Sequence, residues 1–327
     1  MSRQYIDPVN YNLTLKDLNI TNYESFLDDL TDVPSSTALK PYSIDRAGIS
    51  EQSAYVKVMS INDENKYVPM FIKLKMQVEL KGHRGIHMSR CEEALFSLLQ
   101  DKHESLVSFT EKLAKEILNL QGSNKSYISA EGTYIHQRLT KKTNKSSYDT
   151  IYLYASSAAT CNNTESKIGI SAYNMTGCPC TETFTKFAIV PKLKESGYSL
   201  KQIKEILAIT NSGTHTQRGL ATIIVDKNNS NITYGKLYQI LDQSCHLVYE
   251  LLKRPDEHEL VVRVLNNPQF TEDVVRDIVA STVDILGKNL NISSEIFASS
   301  QLYDSIHIHD VYTEITKTYG QICSENE

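Results

Sequence analysis

The side chains able to do chemistry fall into a few short polar motifs. The tightest is Gly177-Cys178-Pro179-Cys180-Thr181, two thiols either side of a proline. That spacing is too close for a two-residue zinc knuckle, and one such pair cannot complete a metal site alone. The flanking Thr176, Gly177 and Thr181 mark a turn, where thiols are accessible; the plainer alternative is a pair of core thiols. Further on, Thr214-His215-Thr216-Gln217-Arg218-Gly219 sets an imidazole just ahead of an apolar strand. His215 with a cysteine makes a pair of borderline-soft ligands for zinc, iron or manganese and leaves a third ligand to be found. A lone strand-edge histidine is otherwise a surface or capping residue.

Three other groups stand out. A helix expected over residues 235–253 buries Leu237, Ile240, Leu241, Val248, Leu251 and Leu252, which places His246 on its polar side with Asp242, Gln243 and Glu250. Ser305-Ile306-His307-Ile308-His309-Asp310 alternates, so both imidazoles point to one side of an extended segment beside Asp304, as proton carriers or as a polar face. His83, Arg84, His87 and Arg90 crowd an expected helix N-terminus, where free N–H groups and the helix dipole favour an anion such as a triphosphate. An ordinary polar loop would read the same way.

The elements that must position these groups follow from periodicity. Met70, Ile72, Leu74, Met76, Val78 and Leu80 alternate with polar residues, the period of a strand with one buried face. Ser89 and Glu92 have capping-box spacing, and apolar residues at helical intervals then run to Gln121 as two helices or one bent one. YISAEGTYIHQRL, TIYLYAS, IGISAYNM, FTKFAIV and GLATIIVD read as strands; residues 198–209 and 271–286 read as helices, with ELVVRVL between the later helices as another strand. Residues 1–45 read as an extended arm. Strand pairs, helices and strand pairs again give an α+β chain of two similar modules, 46–160 and 161–327, with mostly antiparallel sheets and helices on one face. A faint echo between Ile135-His136-Gln137-Arg138 and His215-Thr216-Gln217-Arg218 carries little weight.

Composition limits the function classes. The 327 residues carry a formal charge of −5, which excludes a generally cationic nucleic-acid binder, and 40% hydrophobic residues suit a globular core. No apolar run approaches a membrane span and the first residues lack a signal-peptide core, which points to a cytoplasmic address with no membrane partner. Six cysteines are too few for a disulfide scaffold in so long a chain, and in a reducing compartment Asn174-Met175-Thr176 is a chance glycosylation match.

In this order, DVPSSTALKPYSIDRAGI, KGHRGIHMSR, GCPC, THTQRG, SCHLVYELLKRPDE, NNPQFTEDVVRD and DSIHIHD resemble the prokaryotic type IB GTP cyclohydrolases, relatives of the archaeal metal-dependent enzyme. The resemblance spans most of the chain. It implies a tunnelling fold with two modules per chain, a homotetramer with active sites at subunit interfaces, and GTP or a related nucleotide as substrate. It further implies that a divalent metal (Zn, Fe or Mn) activates water to open the purine imidazole ring, releasing formate and forming dihydroneopterin phosphate. By motif, Cys178 and His215 become metal ligands and Cys180 their neighbour in the pocket. His307 becomes an acid/base group with Asp304 beside it, while Arg90, His87 and Arg218 bind substrate.

The chain also departs from that pattern. Where the family reads Ser-Cys-Glu it has Ser244-Cys245-His246, so the expected carboxylate ligand becomes an imidazole, and Cys178, His215 and His246 form the implied set. The glutamate that anchors the guanine edge is replaced by Val262, with Glu259 nearby but not in register. Asp304 stands for a glutamate. These departures keep two further readings open: a hydrolase of the same fold acting on another purine-like nucleotide, and a non-catalytic ligand-binding paralogue.

Overall fold

The computed structural model describes residues 32–228, 231–248 and 253–325. Its strands are β1 (Ile44–Met59), β2 (Tyr67–Leu80), β3 (Lys102–His103), β4 (Ser126–Leu139), β5 (Ser146–Ala159), β6 (Thr164–Gly177), β7 (Thr216–Asp226), β8 (His246–Leu247), β9 (Glu295–Leu302) and β10 (Val311–Thr318). The helices are α1 (Met88–Leu99), α2 (Leu106–Gln121), α3 (Pro179–Ala188), α4 (Val190–Glu195), α5 (Leu200–Ile209), α6 (Tyr234–Ser244), α7 (Arg254–Asn266), α8 (Thr271–Leu286) and α9 (Tyr319–Glu325). The strands make one sheet in the order β10-β9-β7-β6-β5-β4-β2-β1-β3, with β8 off this path against β6. The long pairings are antiparallel; only the short β3 runs parallel to β1. The expected α+β class with a large antiparallel sheet and helices on one face is what the chain forms.

The period-two pattern places the core. Every second residue of β2, from Met70 to Leu80, is buried, and Ile128, Ile151, Leu153, Ile168, Ile170, Ile223 and Val225 continue the same face across the sheet. The helices α2 and α8 close over it with Phe109, Leu113, Ile117, Val274 and Ile278. Burial of this size is the main stabilising term. Gly122, in the left-handed region at φ 62°, ends α2 as its spacing predicts.

Several local expectations change. FTKFAIV and ELVVRVL are helical, in α3 and α7. Each helix has a proline in its first turn, and α7 adds Asp256 and Glu257 there; both features favour helix starts over the β-propensity of the apolar run. The helix expected over 235–253 stops at Ser244, and residues 249–252 lie outside the described residues. His246 is therefore a buried residue of β8, not part of a solvated helix face. Ser89 does not cap: α1 starts at Met88 with His87 as its N-cap residue. The strands β1, β9 and β10 carried no clear period; β1 has register shifts between Ile44 and Ala47 and between Ile49 and Gln52 that break its alternation. Of the expected arm, residues 1–31 lie outside the described residues. Its last part covers the KGHRG loop through backbone bonds of Ala38 to Gly82, Arg84 to Ser36 and Gly85 to Pro34. Asn174 is fully buried within β6, so it is no glycosylation site in the folded chain.

The β4–β5 hairpin is bonded to the helices α6 and α7. Arg138 donates to Asp149 Oδ2 at 3.1 Å, and Tyr238 of α6 donates to the same oxygen. At the hairpin tip, Lys142 N and Thr143 N donate to Asp256 Oδ1 of α7 at 3.1 and 3.0 Å. His136 lies under this network, 7% exposed, its ring 4.1 Å from Tyr238 and its Nδ1 without a hydrogen-bond partner. Burial, with Arg138 adding to it, pushes the His136 imidazole down from 6.5 to about 4. The unfolded chain takes up this proton near 6.5, so the stabilisation is full above that pH and is lost as pH falls toward 4. Thermal unfolding followed from neutral pH to acid should show a steeper drop in Tm for the wild type than for His136→Gln; equal slopes would contradict this account.

Candidate active site

The ends of three strands and one loop meet at a polar corner. Gly177, the last residue of β6, pairs with Thr216, the first of β7, so Cys178 and His215 are brought side by side by the ladder itself. Cys178 N donates to His215 O at 3.2 Å, and Thr214 Oγ1 donates to Cys178 O at 2.7 Å. Cys178 is half-buried and serves as the N-cap residue of α3, with Pro179 at the first turn; Cys180 follows, exposed. The accessible turn expected of this motif is what forms.

His215 is held in one orientation. Its Nδ1 lies 2.9 Å from Gln217 Oε1, and Gln217 Nε2 donates to Thr176 Oγ1 at 2.9 Å. An amide oxygen only accepts, so Nδ1 carries a proton, and in the neutral ring the lone pair is then on Nε2. A histidine whose second nitrogen is engaged by an oxygen acceptor has the arrangement typical of a metal ligand. Gln217 was not assigned a role from sequence, yet its place two residues along a strand from His215 put both on one face.

The β9–β10 loop completes the corner. Ser305 Oγ lies 3.4 Å from His215 Nδ1, and Tyr303 N donates to Arg218 O at 2.9 Å. The Asp304 carboxylate accepts from Ile306 N at 2.8 Å and His307 N at 2.9 Å. These backbone bonds, reinforced by the neighbouring His307 and His215, hold Asp304 below the usual carboxylate range. His307 and His309 stack with centroids 5.2 Å apart, as their alternation predicted. Cys178, His215, Asp304 and His307 thus come together.

Other expected site residues do not join them. His246 Nε2 lies 2.9 Å from Asn267 O, and burial lowers the imidazole's affinity for a proton. Among the described residues no three His, Cys, Asp or Glu side chains are grouped to hold a metal, and His246 does not stand beside Cys178 and His215 in such a group. Arg218 instead stacks over Tyr173, 5.4 Å from its centroid. Val262 sits on α7, one turn after Glu259, which pairs with Arg263 at 3.1 Å and keeps a buried Oε2 with no hydrogen-bond partner.

His87 and Arg90 lie at the far end of the sheet. The C-terminal end of β2 is level with the start of β6, whereas Cys178 follows the end of β6, about 40 Å of strand away. There, His87 Nε2 lies 3.0 Å from Ser35 Oγ and 3.4 Å from Asp32, and Arg90 donates to Leu120 O at 3.1 Å. Within one chain these two groups cannot serve the Cys178 corner.

Gln217→Leu removes the acceptor that fixes the His215 tautomer. Long-range 1H–15N spectra of the His215 ring should then show Nε2–H gaining population, while the wild type shows Nδ1–H; an unchanged tautomer would mean that Gln217 does not set it.

Residues 30–313 match the type I GTP cyclohydrolase folE2 family. Among curated relatives, GTP cyclohydrolase MptA of Thermoplasma volcanium is 30% identical over 291 residues, 88% of this chain and 95% of the relative. GTP cyclohydrolase MptA of Methanococcus aeolicus is 27% identical over 296 residues, 86% of this chain and 95% of the relative. Among solved structures, the uricase of Arthrobacter globiformis aligns with a TM-score of 0.45 at 8% identity, covering 86% of this chain and 95% of the uricase chain. The match runs through every motif gathered at the corner, and the chain belongs to the type I GTP cyclohydrolase folE2 family.

Proposed function

We propose that the chain is a metal-dependent GTP cyclohydrolase that opens the purine imidazole ring, releases formate and yields a dihydroneopterin phosphate. The observation that carries this reading is the convergence of Cys178, His215, Asp304 and His307 at one corner, inside a segment that matches the family along its length. The relatives named GTP cyclohydrolase support GTP as substrate. Placement among the prokaryotic type IB enzymes rests on the motifs GCPC, THTQRG and DSIHIHD.

Cys178 and His215 would hold the metal, with zinc, iron and manganese all compatible with a thiolate and an imidazole. Bound there, a divalent ion supplies an acidified water and polarises the bond under attack. The chain does the rest. Gln217 favours the His215 tautomer whose lone pair is on Nε2, and Asp304 fixes the loop that presents His307. An imidazole can take and return a proton near neutral pH, which ring opening and reclosure both require. Cys180, exposed one turn into α3, borders the same space.

The distance between His87–Arg90 and Cys178 supports an assembly in which one copy supplies the anion-binding end and another the metal corner, as in a homotetramer with interfacial sites. A tunnelling fold of two modules, 46–160 and 161–327, is supported by the strand order: β1-β2-β4-β5 and β6-β7-β9-β10 each run in chain order, with helices inserted before the third strand. Val262 favours a second reading, a related purine-like nucleotide as substrate, because it offers no acceptor to a guanine edge.

Formate release from GTP, measured on anaerobically purified protein loaded separately with Mn(II), Fe(II) or Zn(II), tests the proposal. We expect metal-dependent formate that falls to the blank in Cys178→Ala, and a kcat roughly 10²–10⁴-fold lower in His307→Ala. A folded, metal-loaded protein that releases formate from another nucleotide but not from GTP would favour the second reading.

A further inference from the structure

The sheet face turned away from the helices carries a trough of about 770 Å3. Register makes it. One rung of the ladder runs Lys75, Ser129, Ser156, Lys167 across β2, β4, β5 and β6, and the next runs Gln77, Tyr127, Ala158, Glu165. The short side chains of Ser129, Ser156 and Ala158 form a floor between longer ones on either bank. On the β1–β2 bank, Arg46 and Lys125 hold their charges 4.3 and 5.2 Å from the centroid of the Tyr127 ring, and Lys75 stands one rung away. These three cations make no ion pair among the described residues, whereas Lys73 and Lys167 on the same face each meet a carboxylate, and Glu79 beside Lys125 is taken by Lys81. The far bank holds Lys167 with Asp226 and Glu295, and Glu165 with Asn163. In a chain of formal charge −5, three cations gathered without a counter-charge repel one another and are stabilised by an anion between them.

We propose that this trough binds a small, non-aromatic polyanion of the oligophosphate or polycarboxylate kind. Arg46, Lys75 and Lys125 meet its charged groups from one bank, and the Ser129 and Ser156 hydroxyls donate from the floor. Two features select that class. The strands β2, β4, β5 and β6 beneath are paired on both sides, so an acidic peptide finds no free main-chain groups to bond. Tyr127, the aromatic residue of the lining, already has Arg46 over its ring, so the trough draws charge rather than a heterocyclic base. The trough is separate from the Cys178–His215 corner, since Lys167 and Cys178 lie eleven residues apart along β6, about 36 Å.

Calorimetric titration of the full chain with tripolyphosphate and, separately, with citrate tests this and tells the two sources apart. At least one should bind, with an affinity that falls as salt rises, and Lys75→Glu and Arg46→Gln should each weaken it at least about tenfold. Both positions are exposed, so the variants keep the fold, which an unchanged Tm checks. Both probes also chelate divalent metals, and the start of α1 is itself a candidate anion site, so binding should persist in Cys178→Ala and in Arg90→Gln. Loss of binding in either of those variants overturns the proposal. Binding that is unchanged in Lys75→Glu and Arg46→Gln also overturns it, as does no binding of either probe to the wild type.

Discussion

The register between β6 and β7 is the constraint on which the site depends. Backbone hydrogen bonds place Gly177 opposite Thr216, and with them Cys178 beside His215 and Thr176 beside Gln217. A slip of one residue would turn His215 and Gln217 to the opposite face and bury the wrong set along the whole of β7. The register is fixed by what lies behind it: Ile168, Ile170, Ala172, Ala221, Ile223 and Val225 share the helix-facing side and cannot leave it without exposing the core. Gly219 marks a close approach, since a Cβ there would come within 2.6 Å of Leu302 and 2.8 Å of Asn174 Oδ1. The glycine of THTQRG is thus required by the close approach of β6, β7 and β9.

Around that ladder, polar groups are arranged in two layers of different purpose. At the corner Cys178 and His215 are half-buried, and His307, stacked on His309, is exposed. Beneath the helices they are buried and mutually bonded: Arg138, Asp149, Tyr238 and Asp242 join the β4–β5 hairpin to α6, and Asp256 joins its tip to α7. The acidic turn of RPDE, which reads as a helix start, has a second task as the acceptor that holds the hairpin. The helices α6 and α7 in turn bracket β8, whose two residues pair with β6.

The excursion from α3 to α5 differs from both. Among its three helices only Ile203 is buried, while Phe184, Phe187, Leu200 and Ile209 stand exposed. It begins at Cys178 and ends shortly before His215, so these two residues flank a segment that the core does not hold.

Sequence alone determined what local patterning can encode. Alternation gave β2 and the central strands β4 to β7, helical spacing and Gly122 gave α2, and the types and order of Cys178, His215 and His307 gave the chemistry and the family resemblance. These readings succeed because each depends on residues a few positions apart. The tertiary structure decided the rest. It made α3 and α7 helical against their β-branched runs, because prolines and acids at their first turns and burial of Leu260 and Val264 on one face outweigh propensity. It took His246 out of a helix and into a buried bridge with β6, and it parted His87 and Arg90 from the Cys178–His215 corner by the length of a strand. Asp149 carried no signal in its own neighbourhood. Its place as the acceptor of Arg138 and Tyr238 is set by contacts distant in the chain.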